Sequence, residues 1–411
     1  MKFLARLSLV FVLMVALSTG LFSNGLNVNG SGTKAISMGG AFVGLADDYS
    51  AIYWNPAGLT QIKNTTLALF VTDIIPKQSY TFSLLGIDAK GETNHNISGG
   101  LGFIKPLSDK VVAGVYAYVP SGISSEWDGN DLALLSDGIP MIWKSKLGII
   151  TVSPAIAVKL SDTFSFGLTV NLNYGMLELE RPALGQYQED LTGTGIGATL
   201  GMLFKPNEKF SIGLTYKTPF KAKLSGDAGM SGAPLLTLPA TDDAEREVTL
   251  PQWIAAGLCF KPNDQLTFTV DVQHTNWKKI DTIPMSFTDP GWQLFFEPGT
   301  ELHFYWKNGT QVRFGVEYKL SDSLALRGGY YYDPGVGPKR TQTILVPQAT
   351  YNFITLGFGY KSEKIILDFC FEYGMGKDVD VGLTDAMADV GMPGVHGVDL
   401  LVPNVALTIL L

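Results

Sequence analysis

Segments of about ten residues with a period of two run through this chain almost from end to end, and they limit what it can fold into. From Phe164 to Tyr174 every even position is apolar and every odd one is small or polar. Leu266–Gln273 and Ile365–Tyr373 repeat the pattern, and the last residues set Val405, Leu407, Ile409 and Leu411 against Asn404, Ala406 and Thr408. Side chains alternate faces along a strand, so each segment is expected to be a strand with one apolar and one polar face. A polytopic helical membrane protein needs uninterrupted apolar stretches of about 18 residues or more. None follows the first 23 residues, although 46% of the chain is hydrophobic. A soluble sandwich or barrel would alternate in the same way, so the period alone leaves those folds open.

The connections narrow the choice. Six are tight and chemically alike: Pro106–Asp109, Leu160–Thr163, Pro206–Lys209, Pro262–Gln265, Leu320–Ser323 and Lys361–Lys364. Pro, Asn, Asp and Ser favour turns for specific backbone reasons. The six recur at roughly 40 to 60 residues, the spacing of a repeated hairpin. Long, irregular connections are expected between them, near residues 121–143, 181–191, 225–246, 282–302, 333–350 and 375–402. Short turns at one end and long loops at the other describe an outer-membrane barrel. We therefore expect an all-β fold: a transmembrane antiparallel β-barrel of about 14 strands, from near Thr65 to Leu411. Closure leaves no unpaired backbone facing lipid. The parity sends Phe164, Phe166 and Leu168 to lipid, and Asn171, Asn173, Asp271 and Gln273 to the lumen. Trp253, Trp277 and Tyr330–Tyr332 gather near strand ends, where an aromatic girdle is expected.

At the N-terminus, Lys2 and Arg6 precede an apolar run from Leu7 to Leu17 and then small residues. This is the pattern of a signal peptide over residues 1–23, cleaved after Gly20 or Ser23. Two cysteines, Cys259 and Cys370, are too few for a disulfide scaffold. A net charge of −8 without basic runs argues against nucleic acid as a partner.

Residues 24–63 break the period and are rich in Gly and Ala. Gly39-Gly40 and the run from Asp47 to Trp54 suggest short helices, with Asp47 or Asp48 as a cap. Asn55-Pro56 then ends one helix and suits the start of another. Ahead of a barrel, such a segment is either a periplasmic tail or a plug inside the lumen. Its glycines favour the plug, because close packing against barrel walls needs small residues. The expected organisation is a signal peptide over 1–23, a plug over 24–63 and a barrel over 64–411.

Gly32-Thr33-Lys34-Ala35-Ile36-Ser37-Met38-Gly39-Gly40-Ala41, Ala46-Asp47-Asp48 and Asn55-Pro56-Ala57-Gly58 closely resemble the N-terminal hatch of the FadL-type outer-membrane transporters for long-chain fatty acids and aromatic hydrocarbons. Phe210–Lys217, Trp277 with its flanking strand, and Leu326–Tyr330 carry the resemblance over essentially the whole mature chain. It implies a barrel of about 14 strands in the bacterial outer membrane, plugged by a hatch of short helices. It also implies passive uptake of hydrophobic molecules, with capture at extracellular loops, a tighter site near the mature N-terminus, and lateral release where the third strand kinks. By the same resemblance, Leu26 contacts the ligand, at a position where an aromatic residue is expected. Gly39, Gly40, Asn55, Pro56, Ala57 and Gly58 then form the hatch and its gate. Gly114 and Pro120 are the candidate deformation points of a third strand running from Val111 to Val119. Ala233–Pro239, Ile139–Trp143 and Pro290–Phe296 are oddly apolar for exposed loops, and an exposed apolar cluster marks a binding site. The first corresponds to the family's capture groove, which makes Leu235, Leu236 and Leu238 candidate ligand contacts.

Nothing rises to catalysis. His95, His274, His303 and His396 lack ligand or catalytic spacing, and no nucleophile elbow is present. Gly193–Gly197 continues a strand, and Asp378–Gly382 lacks most ligands of a calcium loop. We expect no enzyme activity, no cofactor and no metal. Arg313 and Arg327 are expected as lumen salt-bridge partners or as contacts for a ligand carboxylate. The expected partners are a hydrophobic small molecule, outer-membrane lipid and the barrel-assembly machinery, with a monomeric barrel. The chain ends Ile409-Leu410-Leu411, where such barrels commonly end in an aromatic residue. A general porin for small polar solutes and a surface adhesin are the alternatives. Fatty acid and aromatic hydrocarbon demand the same apolar groove, so that choice stays open.

Overall fold

The computed structural model describes residues 25–27, 30–297 and 301–411; the expected signal peptide lies outside the described residues. Fourteen antiparallel strands form one closed sheet: β1 (Thr66–Phe82), β2 (Asn96–Pro106), β3 (Val111–Trp127), β4 (Trp143–Lys159), β5 (Phe164–Ala183), β6 (Gly185–Asn207), β7 (Phe210–Lys217 and Phe220–Met230), β8 (Thr241–Leu250 and Trp253–Phe260), β9 (Leu266–Thr275), β10 (Gly309–Lys319), β11 (Leu324–Asp333), β12 (Thr350–Lys361), β13 (Ile365–Lys377) and β14 (Gly394–Leu410). β14 returns to β1, from Thr66↔Leu410 to Thr81↔Val395, and so closes the barrel. β7 and β8 each break beside a proline, Pro219 and Pro251, which has no N–H to give the ladder.

The six expected turns all form, and they share one device. A turn side chain turns back to accept the N–H of the first strand residue: Ser108 from Val111, Ser161 from Phe164, Asn207 from Phe210, Asn263 from Leu266, Ser321 from Leu324 and Ser362 from Ile365. That local competition for backbone hydrogen bonds is why Asn and Ser hold these positions. The opposite end corrects one expectation. Residues 181–191 are no long loop, because β5 and β6 continue to a tight hairpin at Ala183↔Gly185, with Gly185 at φ 78°. β6 reaches 23 residues. A paired ladder satisfies its own backbone in water as well as in lipid, so pairing need not stop at the membrane edge. β3 likewise runs on to Trp127, and the β7–β8 connection shrinks to residues 231–240.

Parity behaves as expected. Asn171, Asn173, Asp271 and Gln273 are buried inside, while on the other parity Phe164, Phe166 and Leu168 are half-buried and Val170, Leu172 and Tyr174 exposed. The aromatic girdle needs a correction. Tyr330 is exposed on the outer face as expected, but Trp253, Trp277 and Tyr331 are buried in the interior, Trp253 packing on Val43. Exposed rings near the short turns include Phe103, Phe204, Phe210, Tyr318 and Tyr360, with stacked pairs Phe210–Phe260 and Phe358–Phe369.

Candidate functional site: a plugged barrel with a window in its wall

Inside the barrel, helix α1 (Thr33–Ser37), helix α2 (Ala51–Trp54) and a 3-10 turn (Pro56–Gln61) pack with Phe42, Leu45 and Tyr49 against the inner faces of the strands. Neither expected aspartate caps α2 directly. Asp48 accepts from the Ser50 N–H at 2.8 Å and from its hydroxyl at 2.6 Å, and Asp47 pairs with Lys34 at 2.7 Å. Burial pushes the Asp48 carboxyl up to about 6, against the pull of Lys34 and Ser50. Burial would raise Asp47 too, but Lys34 draws it below the ordinary carboxylate range.

The wall meets this plug with glycine. A side chain at Gly167 would strike Ala57, at Gly201 Asn55, at Gly213 Val43, at Gly257 Gly44, at Gly315 Met38 and at Gly329 Gly39. These glycines sit on β5, β6, β7, β8, β10 and β11, so the plug backbone lies flush on much of the circumference. Gly39 and Gly40 turn at φ 65° and 67°, conformations that suit glycine. Gly39 donates to Thr355 at 3.2 Å and its carbonyl accepts from Arg313 at 3.0 Å.

Asn55 is the joint of the plug. Its Nδ2 donates to Val43 O and to Met202 O, both at 2.9 Å, and its Oδ1 accepts from the Ala57 N–H at 3.2 Å. Pro56 opens the 3-10 turn, and Gly58 leaves room for Ala46. Asn55→Ala leaves two carbonyls and an N–H without these partners, at about 1–3 kcal/mol for each buried orphan. Amides 51–55, 57 and 58 should then exchange hydrogen at least about tenfold faster in the folded barrel. Unchanged exchange would remove Asn55 from this role.

β3 departs from the regular wall. Its register with β4 shifts between Tyr118↔Thr151 and Ser121↔Ile149, where Val119 and Pro120 oppose Ile150 alone. This is a one-residue bulge, which bends the strand. Of the two candidate deformation points, Pro120 lies in the bulge, whereas Gly114 stays in register with Ile104 and Ala155. β2 pairs with β3 only as far as Gly100↔Tyr118, although its pairing with β1 continues to Ile74↔Asn96. The chain rejoins β3 at Gly91↔Trp127. Between those points the wall has a window. Within it Asn27 bridges Ser121, and Leu26 O accepts the Gly122 N–H at 2.9 Å. A cavity of about 490 Å³ reaches from Gly25 and Asn27, past Val119 and Ile123, to Ile97 and Ile150 on the outer face. Non-sheet backbone at membrane depth is tolerated where it lines such a cavity.

Leu26 is buried in a second apolar cluster with Trp277, Met285, Trp292 and Phe296. Above it, Leu238 packs on Gly291 of helix α3 (Pro290–Phe296), and Trp292 Nε1 donates to Pro239 O at 2.9 Å. Two of the three apolar loops thus form one surface. Leu235 is 81% exposed there, with Leu236, Leu294 and Phe295 also exposed. The β11–β12 connection is the long one expected near residues 333–350, but it folds into the lumen, which sequence reasoning missed. Ile344 O accepts from Ser125 at 2.6 Å and from Trp127 at 3.2 Å, Leu345 O accepts from Ser145, and Pro347 to Ala349 line the cavity. Its signal was the apolar triplet Ile344-Leu345-Val346.

Arg327 bridges Glu317 at 2.7 Å and Asp368 at 2.5 Å, while Arg313 also bonds Gln311 and lies 4.2 Å over the Tyr331 ring. Cys259 and Cys370 are buried free thiols packed against the plug. The histidines are dispersed: His95 meets Asp73, His274 Thr310, His303 Asp389 and His396 the Met392 carbonyl.

A family model described as outer membrane protein transport protein (OMPP1/FadL/TodX) matches residues 9–400. The chain belongs to this family. Outer membrane protein P1 of Haemophilus influenzae is 23% identical over 399 residues, covering 83% of this chain and 84% of its own length. The long-chain fatty acid transport protein of Escherichia coli is 22% identical over 452 residues, covering 96% and 93%. A Pseudomonas aeruginosa FadL homologue superposes with a TM-score of 0.79 at 18% identity, over 94% of this chain and 99% of that one. The toluene transporter TodX of Pseudomonas putida gives 0.72 at 18% identity, over 93% and 98%. At such identities the superpositions speak for the fold. As an OMPP1/FadL/TodX-family member, the chain is an outer-membrane transport protein and not an enzyme.

Proposed function

We propose that this chain carries hydrophobic small molecules, long-chain fatty acids or aromatic hydrocarbons, passively across the bacterial outer membrane. The observation that carries the reading is the cavity beside Pro120, which joins the N-terminal segment to the outer face of a barrel whose lumen is plugged. Ligand is captured on the loop surface at Leu235, Leu236 and Leu238, passes the cluster at Leu26, and leaves sideways through the window. Gly39, Gly40, Asn55, Pro56, Ala57 and Gly58 hold the hatch (residues 24–63) that closes the axial path. Each buried CH₂ gains roughly 0.8 kcal/mol, so a hydrocarbon chain prefers this route to water. The route must also bind weakly enough to release. The relatives named for long-chain fatty acid and toluene transport support this ligand class. A closed barrel needs no partner subunit, so the working unit is a monomer delivered by the barrel-assembly machinery.

The test is titration of the purified protein with a long-chain fatty acid and a monoaromatic hydrocarbon. Saturable binding is expected, weakened at least about tenfold by trimming the mature N-terminus through Leu26. Absence of binding together with steady ion conductance in planar bilayers would replace this reading with a general porin.

A further inference from the structure

Among the described residues, the cavity offers an ionised carboxylate no lysine or arginine on its inner face, and the guanidiniums of the apolar cluster behind it are already engaged. Among the described residues that line the cavity, Lys146 is the only lysine or arginine. Its side chain is 58% exposed on the outward face of β4 and stands 4.0 Å from Glu178. Glu178 and Asp333 are acids, and His95 lies 2.6 Å from Asp73. The remaining polar side chains are four amides, two serines and a tyrosine, and several of the amide oxygens are aimed inward as acceptors. Gln78 Oε1 takes the Ser125 hydroxyl at 3.1 Å, and Asn27 Oδ1 takes that of Ser121 at 3.3 Å. Gln348 Oε1 is buried with no hydrogen-bond partner, and its Nε2 is turned to Pro347 O at 3.3 Å. An anion among these oxygens would meet repulsion without a compensating cation.

Deeper in, the apolar cluster holds a guanidinium that is already committed. Arg246 Nε donates to both carboxylate oxygens of Glu189 at 3.1 Å, Nη2 stands 3.1 Å from the same group, and Nη1 donates to Ile283 O at 3.2 Å. Tyr187 adds its hydroxyl to Glu189 at 3.0 Å. Arg181, the neighbouring cation, stacks on the Tyr187 ring at 5.2 Å. Both members of the Arg246–Glu189 pair are fixed on the wall, on β8 and β6, and both are buried. A ligand carboxylate could claim Arg246 only by leaving Glu189 buried and uncompensated, a strongly unfavourable exchange.

We infer that this route is selective for neutral hydrophobic molecules and rejects ionised carboxylates, with Glu189 as the positioning residue that keeps Arg246 from the ligand. The inference rests on the transport reading above and chooses within it, favouring hydrocarbons and other uncharged molecules over fatty-acid anions. Two size-matched pairs test it on the full chain in lipid nanodiscs at about pH 8.5, where carboxylic acids are ionised. The pairs are p-xylene with 4-methylbenzoate and 1-dodecanol with dodecanoate, each corrected for uptake by empty discs. In each pair that binds, the neutral member should bind at least about tenfold tighter. Glu189→Gln keeps the shape and releases the Arg246 charge, so it should narrow that gap to about threefold or less, through a gain in carboxylate affinity. Equal or tighter binding of a carboxylate by the wild-type chain overturns the selectivity and needs no variant to be read. An unchanged gap in a folded Glu189→Gln protein overturns the role given to Glu189. If all four compounds fail to bind, the transport reading itself falls, a result distinct from binding without charge discrimination.

Discussion

Deleting Pro120 should reduce uptake of hydrophobic ligand at least about tenfold while the barrel still assembles. The bulge places two residues, Val119 and Pro120, opposite Ile150. Removing one of them makes the ladder continuous from Tyr118↔Thr151 onward, and every later residue of β3 keeps its face. Ile123, Ser125 and Trp127 would still point inward, as they do now on the parity set by the bulge. β3 loses the one residue there that has no N–H to offer, and its freed edge can pair with β2 across the present window. The Gly122 N–H, now given to Leu26 O, would find a partner in that strand instead. The prediction is checked by ligand uptake into proteoliposomes, alongside the heat-dependent gel shift of a folded barrel. Gly114→Ala is the contrasting variant, because Gly114 lies in regular register and a methyl there meets Phe103 O at 3.0 Å. It should leave uptake within about twofold of wild type, since only a small local adjustment is required. Full uptake after Pro120 deletion in an assembled barrel would remove the window from the route.

What the sequence made legible was local. A period of two depends on neighbouring residues, and turn residues act on their own backbone, so strands and the six turns could be read directly. Trp253 was legible as well, but through a different signal from the one used. It shares the parity of Cys259, and both face inward. Position near a strand end suggested a girdle, yet the face of the strand decides where a side chain goes. The hairpin at Gly185 was obscured because Arg181-Pro182 and the charges of Glu189-Asp190 made residues 181–191 look like a loop.

The unread part of the site was non-local. Pro120 marked β3 as irregular, but a one-residue excess is visible only against the partner strand. The inward β11–β12 connection is held by Ser125 and Ser145, about 200 residues away in sequence. The wall glycines are the clearest case. Gly213 and Gly329 look like ordinary alternating small residues until Val43 and Gly39 are laid against them.

That keyed fit predicts the second large effect. Gly213→Val combined with Gly329→Val should turn a sealed barrel into one that conducts ions steadily in planar bilayers. A Cβ at Gly213 would overlap the Val43 carbonyl, and one at Gly329 the Gly39 nitrogen. Both obstacles are backbone, so no rotamer change relieves them, and overpacking of this kind costs about 1–3 kcal/mol or more at each site. The wall is held by backbone ladders on both sides of Gly213 in β7 and of Gly329 in β11, whereas the plug is held by short helices and side-chain hydrogen bonds. The plug is therefore the part that yields. Gly328→Val is the control, since its nearest atoms stand 3.8 Å away on the outer face, and that variant should stay sealed. Conductance that remains at the wild-type level in a folded double variant would mean that the wall gives way instead, and that the hatch is retained by its own contacts rather than by the close fit of glycine to backbone.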